Sequence, residues 1–324
     1  MSKIKKIIIS IAIIITVIIT VIIGLALGLG GTYLYNLALD PTTDKSIVFG
    51  SDEESTEAIS QNETSGEVNI DAETWLLNDS GYESLYRTSK DGLKLHNYLL
   101  KNNSNKWVIT VHGYTSEGKL MSNYGKKFYD MGYNVLIPDL RGHGMSEGDY
   151  IGMGWDERLD IIDLINYIID VDKDSEIVLF GVSMGAATVM NVSGENLPSN
   201  VKAIIEDCGY TSAWDQFSYQ LDELFGLPPF PMMHTASLIG KFRAGYWLKD
   251  ASPLEQVKKS KTPTLFIHGD KDDFVPFSML EQVYNACSAP KEKLVVEGAG
   301  HAKSSKVNPD MYWNGISKFL SKYI

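Results

Sequence analysis

Three residue types in three separate stretches could together perform nucleophilic chemistry. The first is Ser183, at the centre of "GVSMG", where the apolar run "EIVLF" ends and a small-residue helical pattern begins. A serine held in a tight strand-to-helix turn adopts a strained backbone and draws neighbouring chain segments very close. Gly181 and Gly185, two residues to either side, remove the Cβ atoms that would collide. The same turn leaves the N–H of Met184 free at a helix N-terminus, where it can donate to an oxyanion.

A serine hydroxyl is a weak nucleophile without a base. Among six histidines, His301 in "VEGAGHAKS" follows the final strand pattern in a glycine-rich loop, which can lay a ring over Ser183. His112, His143 and His268 each precede a glycine at a strand end or turn and read as structural, bonding backbone. His96 falls in an early strand and His234 in an insert. An orienting carboxylate is expected from "FIHGDKDDFVP", which offers Asp270, Asp272 and Asp273. Asp272 is the preferred member, giving the chain order Ser, Asp, His. Asp207, at the end of "AIIED", is the alternative one strand earlier.

These residues need a scaffold that gathers strand ends at one edge. Past residue 83 the pattern supplies one. "ESLYRTSKDGLKLHNYLL" reads as two strands joined at Lys90-Asp91-Gly92. Short apolar runs at 107–111, "NVLIPD", "EIVLF", "VKAIIED", "TPTLFIHG" and "EKLVVEG" then alternate with helical stretches. One of these is 119–131; another places Leu159, Ile162, Ile165 and Ile169 at helical spacing, and "MYWNGISKFLSKYI" closes the chain. Strand–helix alternation implies a mostly parallel, doubly wound α/β sheet with helices on both faces. Ligands then bind at the carboxyl ends of the strands, where Ser183, Asp272 and His301 all fall.

The N-terminus has a different character. Lys3, Lys5 and Lys6 precede a run over residues 7–30 whose only polar side chains are Ser10, Thr16 and Thr20. Roughly 20 such residues span a bilayer, whereas the apolar core of a cleaved signal peptide is about 7–15 residues long. The run therefore reads as an uncleaved single-pass signal anchor, with residues 1–6 cytoplasmic and the catalytic domain extracytoplasmic at the cell membrane. Cleaved secretion is the alternative. Residues 31–71 become rich in Asp, Glu, Ser and Thr and read as a polar linker to a domain at 72–324. A net charge of −12 with no basic patch beyond the extreme N-terminus excludes nucleic acid as a partner. Cys208 and Cys287 lack C-x-x-C spacing, no cluster has metal-ligand spacing, and there is no glycine-rich phosphate loop. Neither metal nor cofactor is expected.

The pieces "VHGYTS", "PDLRGHGMSEG", "GVSMGAA", "HGDKDDFVP" and "GAGHAKS" occur in the order and rough spacing of a known family. From about residue 84 to the end the chain resembles the α/β-hydrolase superfamily, in its serine-aminopeptidase-like and monoacylglycerol-lipase-like branch. The resemblance implies that fold, Asp272 as triad acid, and the N–H of Tyr114 as second oxyanion donor. It also implies that the loop "DLRGHGMSEG" shapes the site, with its Asp139, Arg141 and His143 structural rather than catalytic. A lid is expected at 209–252, with Trp214, Phe217, Phe230 and Met233 on the substrate. This aromatic, apolar insert suits a small-molecule ester or acyl substrate. Asp215, Asp222 and Glu223 would instead suit the free amine of a peptidase substrate, so serine aminopeptidase or amidase activity is the alternative. A non-catalytic binding protein on the same fold is a third reading, disfavoured because Ser183, Asp272 and His301 are all present.

Overall fold

β-Branched and aromatic runs bounded by turn formers build eight strands in one sheet, ordered β1-β2-β4-β3-β5-β6-β7-β8 in the computed structural model, which describes residues 3–49 and 72–324. β1 (Glu83–Thr88) and β2 (Lys94–Leu100) form the expected antiparallel hairpin, and β2 lies antiparallel on β4 (Asn134–Pro138). The rest of the sheet is parallel: β3 (Lys106–Val111), β5 (Glu176–Val182), β6 (Val201–Asp207), β7 (Thr264–Gly269) and β8 (Lys291–Val296). Parallel pairing sends the carboxyl ends of β3 to β8 to one edge. β5 lies between β3 and β6, so the turn that follows it opens in the middle of that edge.

Helices are numbered in chain order: α1 (Lys3–Leu39), α2 (Ser46–Phe49), α3 (Ser122–Asp130), α4 (Glu157–Val171), α5 (Met184–Ser193), α6 (Ala213–Phe225), α7 (Met232–Arg243), α8 (Pro253–Val257), α9 (Ser278–Ala286), α10 (Ser304–Val307) and α11 (Pro309–Leu320). Along β5 the side chains alternate between the two faces. Ile177 and Leu179 pack with Ile161, Leu164, Ile165 and Ile168 of α4. Val178 and Phe180 pack with Phe128 of α3 and Tyr312, Ile316 and Phe319 of α11. The buried face of α4 is therefore turned from the expected one: Leu159 is exposed, while Ile161 and Ile168 are wholly buried. The 209–252 insert folds as α6 and α7 over the carboxyl edge.

α1 departs from the expected boundaries. It is long and apolar enough to cross a membrane, and its side chains up to Leu25 are exposed. It runs unbroken to Leu39 rather than ending at residue 30, and its last turns pack on α7. Tyr35 and Leu39 join the main core. Helix ends leave carbonyls without intrahelical partners, and here the body supplies donors to them. Lys45 Nζ reaches Asn36 O at 3.1 Å and Asp40 O at 2.6 Å, Tyr114 Oη donates to Ala38 O at 2.7 Å and Leu37 O at 3.2 Å, and Ile151 N–H donates to Leu39 O at 2.7 Å. Residues 31–49 thus belong to the packed body and not to a polar linker. They contain the apolar stripe Leu34, Tyr35, Leu37, Leu39, which outweighs the polar composition further along. The remainder of the expected linker, residues 50–71, lies outside the described residues.

Gly30 and Gly31 allow this docking, because a Cβ on Gly30 would lie 2.3 Å from Met232 Cε and one on Gly31 2.5 Å from Thr235 Cγ2. Gly31→Leu is expected to push α1 off α7 at an overpacking cost of about 1–3 kcal/mol. Thermal unfolding of the detergent-solubilised full chain should show a Tm lower by about 3–8 °C.

Candidate active site

The turn after β5 holds Ser183 at φ 56° and ψ −116°, a conformation that costs a non-glycine residue about 1–3 kcal/mol. Two backbone bonds fix it: Ser183 N–H donates to Asp207 O at 2.8 Å, and Ala187 N–H donates to Ser183 O at 3.0 Å. The flanking glycines act as expected. A Cβ on Gly181 would lie 2.2 Å from Gly185 O, and one on Gly185 would lie 2.0 Å from Val111 O. Gly113, in the loop after β3, comes close enough that a Cβ there would sit 3.4 Å from Ser183 Cβ. Tyr114 follows it in the same loop, and its side chain lines the cavity over Ser183. Met184 opens α5, and its N–H has no intrahelical acceptor.

The loop after β8 brings His301 over the serine. Nε2 lies 2.8 Å from Ser183 Oγ, and Nδ1 lies 2.8 Å from Asp272 Oδ2. Asp272 is buried in the loop after β7, where its Oδ1 accepts the N–H groups of Phe274 (3.1 Å) and Val275 (2.9 Å). Burial alone would raise this carboxyl. The His301 ring beside it and the hydrogen bonds from His268 and His301 instead hold it well below the usual carboxylate range. Ser183, Asp272 and His301 are thus joined in one relay.

The alternative acids stand elsewhere. Asp207 Oδ2 accepts the Tyr312 hydroxyl at 2.8 Å, and burial pushes its carboxyl up to about 6. Asp270 Oδ1 accepts the Gly298 N–H, and the Asp273 carbonyl accepts the Tyr219 hydroxyl. His112 and His143 bond backbone as expected: His112 Nδ1 to Gly113 O, with Leu140 N–H on its Nε2, and His143 Nδ1 to Arg141 O. Arg141 forks onto Asp160 with two bonds of 2.8 Å, while Asp139 accepts the N–H groups of Gly118 and Met145, pinning neighbouring loops.

His268 differs from its expected backbone-only role. Its Nε2 lies 3.0 Å from Val275 O and 3.1 Å from Asp272 Oδ2. A carbonyl only accepts, so Nε2 carries the proton and His268 donates to the acid of the relay. Burial alone would lower its pKa, and the hydrogen bond to Asp272 raises it instead. Asp272 follows His268 by four positions, a spacing that carries no signal until the loop closes.

A cavity of about 820 Å³, including its open mouth, lies over Ser183. Phe217 and Met233 line it, as expected of the lid. Trp214 and Phe230 do not. Trp214 packs edge-on to His234 beneath Lys249, and Phe230 points outward at 72% exposure. Trp214 shares the helix face of Phe217 but sits in the first turn of α6, where its ring is taken up by His234 of α7 and by Lys249. The unexpected lining comes from α1, with Leu34, Leu37 and Ala38, and from Phe274, whose ring lies 4.9 Å from that of His301. No Asp, Glu, Lys or Arg lines the cavity among the described residues.

Two outcomes follow from this geometry. Gly185→Ala would drive a methyl into the Val111 carbonyl and is expected to destabilise the fold by about 3 kcal/mol or more, read by chemical denaturation. Glu206, buried beside Asp207, has its carboxyl pushed up to about 8 by burial, from an ordinary 4.5. The folded chain therefore keeps a proton that the unfolded chain releases between those values, and this group's contribution to stability falls as pH rises from about 5 to 8. Glu206→Gln should remove that slope, so Tm measured across this range should shift in the variant's favour with increasing pH.

Comparison with known proteins agrees with the geometry. The family model described as serine aminopeptidase, S33, matches residues 102–249. The Bacillus subtilis protein YqkD is 31% identical over 214 residues, covering 66% of this chain and 70% of YqkD. The Arabidopsis thaliana alpha/beta hydrolase domain-containing protein WAV2 is 26% identical over 251 residues, 75% of this chain and 79% of WAV2. Among solved structures, the Pyrococcus furiosus esterase Pf2001 superposes with a TM-score of 0.61 at 24% identity, over 75% of this chain and 91% of that one, a likeness of fold. With its mostly parallel sheet and its serine turn at the central strand end, the chain belongs to the α/β-hydrolase superfamily.

Proposed function

We propose that this hydrolase is a membrane-anchored esterase that cleaves carboxylic esters of apolar acyl groups through a Ser183–His301–Asp272 acyl-enzyme mechanism. The observation that carries the reading is the unbroken relay of two 2.8 Å contacts at the floor of a cavity without charged lining. Ser183 Oγ attacks the ester carbonyl while His301 Nε2 takes its proton. Asp272, ionised far into the acid range, orients the ring through Nδ1 and stabilises its cationic form. The N–H groups of Tyr114 and Met184 receive the developing oxyanion, each worth about 10²–10³ in rate. His301 then protonates the leaving alkoxide, and water repeats the cycle to release the acid.

Ester is favoured over aminopeptidase substrate by the cavity wall. A free ammonium in an apolar site needs a partner carboxylate. Asp215 is bound to the Thr211 hydroxyl at 2.7 Å, and none of Asp215, Asp222 and Glu223 reaches the cavity. The 37-residue α1 supports the anchor, and Lys3, Lys5 and Lys6 ahead of it support a cytoplasmic N-terminus with the catalytic domain on the far side.

The full chain in detergent should hydrolyse p-nitrophenyl esters with a preference for medium or long acyl chains over acetate. Ser183→Ala should abolish turnover, and Asp272→Asn should lower kcat by about 10³–10⁴ with KM little changed. Cleavage of amino-acid p-nitroanilides with no ester turnover would overturn the ester reading.

A further inference from the structure

α1 and α7 are packed side by side and ascend in the same direction. Gly30 meets Met232, Gly31 meets Thr235, Tyr35 and Leu39 approach Gly240, and Asn36 Oδ1 accepts from Arg243. At 1.5 Å per residue, the apolar run 7–29 spans about 34 Å, the thickness of a hydrocarbon core. Met232 is therefore level with the end of that run, and with α1 docked along its last turns no slack separates the lid from the bilayer. The loop joining α6 to α7, residues 226–231, stands at the membrane end of α7.

The sequence of that loop matches its position. "GLPPFP" has Phe230 72% exposed and Leu227 42% exposed, and Leu29 on α1 is 74% exposed. From residue 224 to residue 240 there is no Asp, Glu, Lys or Arg. At the chain's 22% charged content, a surface stretch of this length would carry about four. Just inside the loop, Leu224 and Phe225 at the end of α6 and Leu34 of α1 begin the cavity wall that leads to Ser183.

Building on the anchored-esterase reading, we propose that the loop 226–231 is seated in the interface of the bilayer spanned by α1, and that the substrate is a membrane-resident single-chain acyl ester that enters between α1 and the lid. α1 is then both anchor and pocket wall. The substrate's acyl chain passes from lipid to the apolar cavity without crossing water, and its carbonyl stops at Ser183.

The test uses the full chain in phosphatidylcholine vesicles. Phe230→Cys is labelled with a nitrobenzoxadiazole fluorophore; the native thiols Cys208 and Cys287 are buried. The label should shift to the blue and be quenched by brominated acyl chains. The same label at Lys173→Cys, in the turn before β5 at the opposite edge, should do neither. With Phe230→Asp, hydrolysis of 4-methylumbelliferyl palmitate dissolved in the vesicles should fall about tenfold, while soluble 4-methylumbelliferyl butyrate stays within about twofold. An unquenched label, or a blue shift without bromine quenching as a protein contact would give, overturns the seating. Equal loss on both esters with a quenched label keeps the seating and points to misfolding of the aspartate variant, and Leu227→Asp then decides the entry route by the same ratio. If the unsubstituted protein cleaves neither ester, the ester reading fails and the substrate assignment with it, while the label still decides the seating.

Discussion

The site depends on one close approach of backbone to backbone. The first turn of α5 lies so near β3 and β5 that the Gly185 and Gly181 positions have no room for a single methyl group. That approach forces Ser183 to positive φ, lifts its hydroxyl out of the sheet edge and turns the α5 N-terminus towards the loop after β3. A strained residue persists only when its surroundings over-determine it. Here the Asp207 carbonyl and the parallel pairing of β5 to both neighbours provide that restraint. The placement of the Ser183 hydroxyl and of the α5 N-terminus both follow from the one contact.

The carboxyl edge also shows how partners decide the state of buried acids. Asp272, Asp207 and Glu206 are all buried there, and desolvation raises all three. Asp272 alone gathers two backbone N–H groups and two imidazoles, and it ends well below the ordinary range. Glu206 has one N–H, from Gly209, and Asp207 one hydroxyl, and both end above it. The relay therefore receives the carboxylate held charged well into acid, whereas Glu206, pushed up to about 8, keeps its proton at neutral pH.

The anchor helix is joined to the same machinery. Tyr114, which follows Gly113 in the loop beside the serine turn, directs its hydroxyl to the last carbonyls of α1, and Phe49 stacks on Phe274, whose ring lies against His301. The stretch after residue 30, which read as the start of a polar linker, instead continues the anchor helix to Leu39 and is held there by Lys45, Tyr114 and Ile151.

Much of this was legible in the chain. Period-two and period-3.6 patterns locate the strands and most body helices, because local backbone geometry sets those periods. Ser183 with its glycines, His301 and Asp272 could be picked out because a strained turn and a strand-end loop leave compositional traces. Contacts that local patterns do not encode were decided by tertiary structure. The second imidazole on Asp272, the outward turn of Phe230, the phase of α4 and the docking of residues 31–49 each depend on which distant surface a side chain meets. The sequence by itself determined the elements and the chemistry of the relay, since these rest on spacing along one chain. Only the tertiary structure decided what walls the cavity, since its lining runs from Leu34 to Val275, and what holds the acid, since His268 and the loop N–H groups meet Asp272 only once that loop closes.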